Sequence, residues 1–428
     1  MHEMKDSGVE WIGDIPANWS VLRNKNAFSC DKVIVGADSE KTQLLSLTTK
    51  GIKKKDINNA EGKLPESFDT YQRVAVDDIV MCLFDLDCSA VFSGISPYEG
   101  MISPAYRVLT CKENIVPKYA DYWFRYISDG RKFNHYAKNI RYTLSYEEFS
   151  ALPILMPDLD TQEHIVDFLN AKCTKIDAVI ARQQDTIEKL KAYKLSVITE
   201  AVTKGLDSDV AMKDSGVEWI GDIPFHWNNV RLKFLLTHLV DCPHETPTYS
   251  VDGEYMVIRT ADQDVAQLRS DEDMFRLSEE EYLRRIRRLP LEKDDIVYGR
   301  EGGRWGLACR VPESNRYCLG QRMLQFRCKT DVFDPYFATL ALSSQTIYLQ
   351  GSVDTLGSAS PHVNISTVQN YWIPLPPLNE QQKIVAIIGE RCNEIEQQIA
   401  RKQVFIEKLV EYKKSLIYEV VTGKREVG

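Results

Sequence analysis

The sequence predicts an α+β protein made of two similar modules, joined by two long antiparallel coiled-coil helices in a pseudo-twofold internal duplication. Three observations carry this. Met4-Lys5-Asp6-Ser7-Gly8-Val9-Glu10-Trp11-Ile12-Gly13-Asp14-Ile15-Pro16, with Trp19 beyond it, recurs identically as Met212 through Pro224 with Trp227. A second repeat matches Pro157, Leu159, Gln162, Ile165-Val166 and Cys173 to Pro376, Leu378, Gln381, Ile384-Val385 and Cys392. It continues through Ile187-Glu188-Lys189-Leu190 and Ile406-Glu407-Lys408-Leu409 to Val202-Thr203 and Val421-Thr422. Finally, the segment that follows each proline keeps apolar residues at steps of three, four or seven, the signature of a helix with a packing seam.

The elements follow in chain order. After the first motif, residues 20–151 mix short β-type runs such as Ile79-Val80-Met81-Cys82-Leu83-Phe84 with a helical stretch near Tyr119 to Tyr126. The counterpart, residues 228–370, holds Tyr255-Met256-Val257-Ile258 and a helical stretch from Tyr336 to Leu349. These middle regions have diverged far more than their flanks. Asp77-Asp78-Ile79-Val80 still echoes in Asp294-Asp295-Ile296-Val297, and Tyr119 in Tyr336. Asp160-x-x-Glu163 and Asn379-x-x-Gln382 have the form of N-terminal caps for the long helices. A helix of about 40 residues is a rod of roughly 60 Å. Its seam is expected to set Ile176, Ile180, Ile187 and Leu190 against Ile395, Ile399, Ile406 and Leu409. The division along the chain is then 1–157 for the first module, 158–205 for the central helix, 206–376 for the second module and 377–428 for the last helix.

A chain of 428 residues suggests two or three domains, and 43% hydrophobic with 27% charged residues is an ordinary globular composition. No basic-then-apolar leader pattern or long apolar run occurs, so a cytoplasmic protein without membrane partners is expected. The ten cysteines form no CxxC pair and are expected to be reduced packing residues. His238, Cys242 and His244 are metal-ligand types, but no second ligand pair follows at zinc-site spacing, and a polar loop is the simpler expectation. The net charge of −9 argues against nucleic-acid binding by bulk positive charge. It is unevenly spread, with 18 Lys/Arg against 17 Asp/Glu in residues 20–157, 17 against 20 in 228–376 and 8 against 13 between.

Several chemistries lack their motifs. No GxxxxGK[ST] phosphate loop is present, and Gly299-Arg300-Glu301-Gly302-Gly303-Arg304-Trp305-Gly306 reads as a turn between strands. Asp334-Pro335-Tyr336-Phe337 lacks the second proline of an amino-methyltransferase loop, and no nucleophile elbow occurs. Neither catalysis nor a cofactor is expected in this chain.

The twice-repeated Gly-Val-Glu-Trp-Ile-Gly-Asp-Ile-Pro motif followed by Trp, and the twice-repeated Pro-x-Leu-x-x-Gln-x-x-Ile-Val opening of a long helix, resemble the S (specificity) subunits of type I restriction-modification systems. The resemblance covers both repeated frames, at Gly8 to Pro16, Gly216 to Pro224, Pro157 to Thr203 and Pro376 to Thr422. It implies two target-recognition domains, each reading one half of a split double-stranded DNA site, with the helices as spacer. It also implies partners: modification subunits, two in number, that bind S-adenosylmethionine and methylate adenine, and restriction subunits that use ATP and Mg for translocation and cleavage. A two-module scaffold for protein or glycan ligands is the alternative.

Base reading needs Arg or Lys on guanine and Asn or Gln on adenine, beside cations that hold phosphate. In the first module the candidates are Lys50, Lys53, Lys54 and Lys55, then Arg131, Lys132, Lys138, Arg141 and Tyr142. In the second they are Arg284, Arg285, Arg287, Arg288, Arg300 and Arg304, with Ser358, Ser360 and His362 in the loop that corresponds to Arg141. The second module uses 14 Arg to 3 Lys and the first 6 to 12, and arginine's fork favours bidentate contacts. Pairing of Arg284 to Arg288 with Glu279-Glu280-Glu281 is the competing expectation.

Overall fold

A computed structural model describes residues 3–56, 65, 67–86, 92–136, 142–353 and 361–427, the side chain of His135 excepted. Two compact units emerge: residues 1–183 with 404–428, and residues 184–403. Each unit thus takes one module together with a stretch of both long helices, instead of leaving the helices as separate bodies.

In the first unit, Met4–Asp6 and Asp14–Pro16 form an antiparallel hairpin, with Met4 opposite Pro16. A four-stranded antiparallel sheet follows, in the order Phe28–Ser29, Arg107–Cys111, Ile79–Met81, Ser93–Ile95. The helix Pro117–Asp129 starts on a proline, whose missing N–H costs nothing in a first turn, and buries Tyr119, Trp123 and Phe124. Ser20–Arg23 and Pro153–Met156 then pair and lead into the central helix, Leu159–Lys204.

The second unit repeats the plan. Met212–Asp214 pairs with Asp222–Pro224, and its four-stranded sheet runs Leu236–Asp241, Met323–Cys328, Ile296–Gly299, Ala308–Arg310. Asn228–Arg231 pairs with Trp372–Leu375 ahead of the last helix, Leu378–Val421. Divergence sits in the smaller sheet. Gln72–Val74 and Gly100–Ile102 pair antiparallel in the first module, whereas the second has three strands, with Tyr255–Ile258 parallel to Tyr317–Leu319.

The repeated residues now have physical reasons. Asp77 and Asp294 take left-handed backbone angles, φ 68° and 72°, which aspartate tolerates better than branched residues. The aspartate after each closes the turn: Asp78 Oδ2 accepts the Ala75 amide at 2.7 Å, and Asp295 Oδ2 the Glu292 amide at 2.9 Å. The Tyr119 and Tyr336 correspondence is off by one residue. Tyr119 is buried and donates to the Leu155 carbonyl at 3.0 Å, while Tyr336 is exposed beneath Arg310 and Phe337 takes the buried place.

Two other expectations need correction. The stretch from Tyr336 to Leu349 is two helices, Pro335–Leu342 and Gln345–Ser352, because Ser343 and Ser344 end the first. The central helix is capped by Asp158, whose Oδ1 accepts the Thr161 amide at 2.7 Å, and Asp160 already lies inside the first turn. Proline stands at the matching position 377, where its carbonyl accepts the Glu380 and Gln381 amides.

The long helices are held in antiparallel sense inside each unit. In the first, Ile165, Leu169, Cys173 and Ile176 share a core with Leu416, Ile417, Val420 and Val421, and Ile180 and Leu409 pack against it. In the second, Val197, Ile198, Ala201 and Val202 share a core with Ile384 and Ile388. Ile187, Ile395 and Ile399 are buried, and Leu190 and Ile406 half-buried. The N-terminal motifs plug helix ends: a Cβ on Gly205 would come 3.2 Å from Trp227, and one on Gly423 2.4 Å from Pro16. Both glycines have positive φ, the conformation that ends a helix without a Cβ penalty.

Candidate nucleic-acid interface

In the first module the lysines fall on one hairpin, Leu45–Thr48 paired with Gly51–Lys54. Ile52 turns into the core while Lys50, Lys53 and Lys54 stay exposed and Lys55 is half-buried. The turn is closed within itself: Thr48 Oγ1 donates to the Gly51 carbonyl at 2.8 Å and accepts the Lys50 amide at 3.1 Å. Lys54 Nζ lies 4.8 Å from the Tyr98 ring centre, which orients it without neutralising it. Arg131 and Tyr142 are exposed, both with positive φ, and Lys132 is half-buried. Lys138 and Arg141 lie outside the described residues.

In the second module many of the arginines are already engaged. Arg284 hydrogen-bonds Glu281 at 2.8 and 2.9 Å and also meets Glu245; its guanidinium holds the Glu281 carboxyl below the usual range. Arg285 has no exposed side-chain surface and donates to the Leu319 carbonyl at 2.9 Å. Arg300 is buried and pairs with Glu301 at 3.0 Å and Asp241 at 3.4 Å. Arg285 and Arg300 are thus buried within their own module, although Arg285 Nη2 and Arg300 Nε have no hydrogen-bond partner among the described residues. Arg287, Arg288 and Arg304 are exposed; Arg288 donates to the Asp241 carbonyl at 3.0 Å and Arg304 to that of Gln263 at 2.5 Å. His362 is half-buried and bridges Glu301 in a short antiparallel contact. Ser358 and Ser360 lie outside the described residues.

The fold thus gathers Arg288, Arg300 and His362 around Asp241 and Glu301, at the mouth of the Gly299–Gly306 turn. Arg322 joins them, 54% exposed and 3.8 Å from Glu301, and sequence reasoning missed it because a lone arginine in a turn between two sheets carries no pattern. His244 pairs with Asp241 at 2.8 Å, and Cys242 is buried with its sulfur accepting the Met323 amide, its thiol pushed up by burial. Among the described residues no group of three or more His, Cys, Asp or Glu is placed to hold a metal, and no helix is long and apolar enough to cross a membrane.

Sequence reasoning found the repeated glutamine of the helix opening but missed its role. Gln162 is fully buried; its Oε1 accepts the Val116 amide at 2.8 Å and its Nε2 donates to the carbonyls of Asn114 and Pro157. Gln381 makes the same three bonds, to Asp334, Val332 and Pro376. One side chain ties each module to its long helix.

The chain is thus a duplicated α+β fold whose two modules share a frame and differ in their exposed cations. Residues 242–402 match the family model of the type I restriction modification DNA specificity domain. The whole chain resembles type I specificity subunits. It is 26% identical over 291 residues to the type I restriction enzyme MjaVIII specificity subunit of Methanocaldococcus jannaschii, covering 65% of this chain and 63% of that relative, which is less than two thirds of its length. It is 22% identical over 442 residues to the putative MjaX specificity subunit of the same organism, covering 97% and 96%. A chain from a solved structure on complex assembly and conformational transition of the type I R-M system shares the fold, with a TM-score of 0.66 over 96% of this chain and 99% of that one at 14% identity.

Proposed function

We propose that this chain selects DNA sequence for a type I restriction-modification complex and does no chemistry itself. Each module reads one half of a bipartite site, and the two long helices set the spacer between the halves. The observation that carries this is the duplication: the same motif hairpins, glutamine clamps and four-stranded sheet order hold two surfaces with different exposed cations, Lys50, Lys53 and Lys54 on the first module and Arg287, Arg288, Arg304 and Arg322 on the second. One frame with two contents suits two readings made by the same mechanics. Modification subunits that bind S-adenosylmethionine would methylate the selected adenines, and restriction subunits would supply ATP- and Mg-dependent cleavage.

The test is binding of the full chain, with its modification subunits, to double-stranded DNA across a salt series. Sequence-selective binding that weakens steeply with salt is expected, because phosphate contacts release counterions. Binding that ignores salt would favour a scaffold for protein or glycan. Methyl transfer by the chain with S-adenosylmethionine alone would refute the non-catalytic part.

A further inference from the structure

Each unit contains a cleft between its module and its helix pair. The first, of about 530 Å³, is lined by the hairpin turn Thr48 to Gly51 and by Asp177 and Lys413. The second, of about 410 Å³, is lined by the matching hairpin turn, Val265 to Leu268, and by Lys194 and Glu396. These ion pairs are repeat images of one another with the roles of the two helices exchanged: Lys413 meets both Asp177 oxygens at 2.7 Å, and Lys194 meets Glu396 at 2.7 Å.

The two lysines do different things. Lys194 is 5% exposed and also donates to the Val265 carbonyl at 3.0 Å, so one ammonium joins both helices to the hairpin turn. Among the described residues Lys413 hydrogen-bonds Asp177 without reaching the first hairpin turn, and it is 21% exposed. The anchored hairpin is held at further points. The Ala266 amide donates to Ser343 Oγ at 3.2 Å, and Gln263 Nε2 donates to the Val297 carbonyl at 2.8 Å. The Gln263 carbonyl in turn accepts from Arg304, an exposed candidate reader in the Gly299–Gly306 turn. The first hairpin is tied at its base, where Met101 bridges Leu44, while its turn is closed by Thr48 and presents lysines.

We propose that Lys194 is a positioning residue for the second half-site: it fixes the Gln263–Leu268 hairpin on the helix pair and thereby the placement of Arg304, while the first module reads without an equivalent anchor. The inference rests on the DNA-reading function above. An ammonium buried in this way is worth retaining only where its contacts matter, since a plain apolar residue would avoid the desolvation cost.

The test uses the full chain assembled with its modification subunits and a DNA pool randomised in both half-sites, with methylation as the readout. Lys194→Met should lower discrimination at the second half-site about tenfold or more, as expected for loss of a charged hydrogen bond. The first half-site should stay within about twofold, as for a distant independent site. Lys194→Arg should restore discrimination, and Lys413→Met should leave both half-sites within about twofold. Unchanged discrimination in Lys194→Met, or equal loosening of both halves, overturns the proposal. Amide hydrogen exchange on the chain alone is the second arm. The Ala266 amide should exchange about tenfold faster or more in Lys194→Met, and unchanged exchange removes the anchor whatever the DNA result. Faster exchange beside a wild-type complex that selects no DNA sequence would refute the DNA reading, and with it the specificity role, while leaving the anchor intact.

Discussion

Lys194 and Glu396 form an ion pair at 2.7 Å in which the lysine is almost wholly buried, and the duplication repeats it as Lys413 with Asp177 at the same distance but in a wetter setting. Burial strengthens the attraction and raises the cost of breaking it, so the two images should differ in energy. In double-mutant cycles read by urea unfolding, coupling between Lys413 and Asp177 should be about 0.2–1 kcal/mol. Coupling between Lys194 and Glu396 should be larger, and equal values would show that burial does not separate them.

The glutamine clamps should be costly to remove. Gln162→Leu keeps the volume but strips partners from the Val116 amide and from the Asn114 and Pro157 carbonyls. At about 1–3 kcal/mol for each buried polar group left unmade, a loss of about 3 kcal/mol or more is expected in urea unfolding. Gln381→Leu should cost a similar amount, since it breaks the same set of bonds.

These comparisons show what the sequence made legible. The duplication, the long helices and the Asp77 and Asp294 turns could be read because their residues recur in register or carry local conformational meaning. The Gln162 clamp was visible as a repeated letter, yet its role depended on three backbone groups that only folding brings to it. The caps were misplaced because Asp158 and Asp160 both fit the local pattern, and only backbone geometry separates them. The interface was the least legible part. Arg285 and Arg300 look like Arg287 and Arg304 in sequence, but tertiary packing buries the first pair and leaves the second exposed.

The Asp158 cap has a pH signature. The hydroxyl and then the amide of Thr161 hold its carboxyl below the usual aspartate range. A depressed folded pKa means its contribution is present above the unfolded value, about 3.9, and is lost as pH falls through the folded one. Asp158→Ala should therefore cost about 1 kcal/mol at neutral pH. The gap between variant and wild type should close in acid, and a gap that persists at the lowest pH of a stability series would refute the cap.

The motif hairpins make the helix-ending glycines irreplaceable. Gly423→Ala places a Cβ 2.4 Å from Pro16 at a φ of 70°, and Gly205→Ala one 3.2 Å from Trp227 at 76°. Each should destabilise by more than about 1 kcal/mol, the size of the opposite effect at compatible sites. Thermal unfolding should show Gly423→Ala as the worse of the two, because proline ring atoms yield less readily than a longer contact.

Exchanging one module tests most directly whether the two read independently within one duplicated frame, as proposed. Residues 20–151 would be replaced by the equivalent segment of a type I specificity subunit, and methylated sites mapped with modification subunits present. One half-site is expected to change while the other half and the spacer stay as they were. A change in both halves together, or in neither, would contradict it.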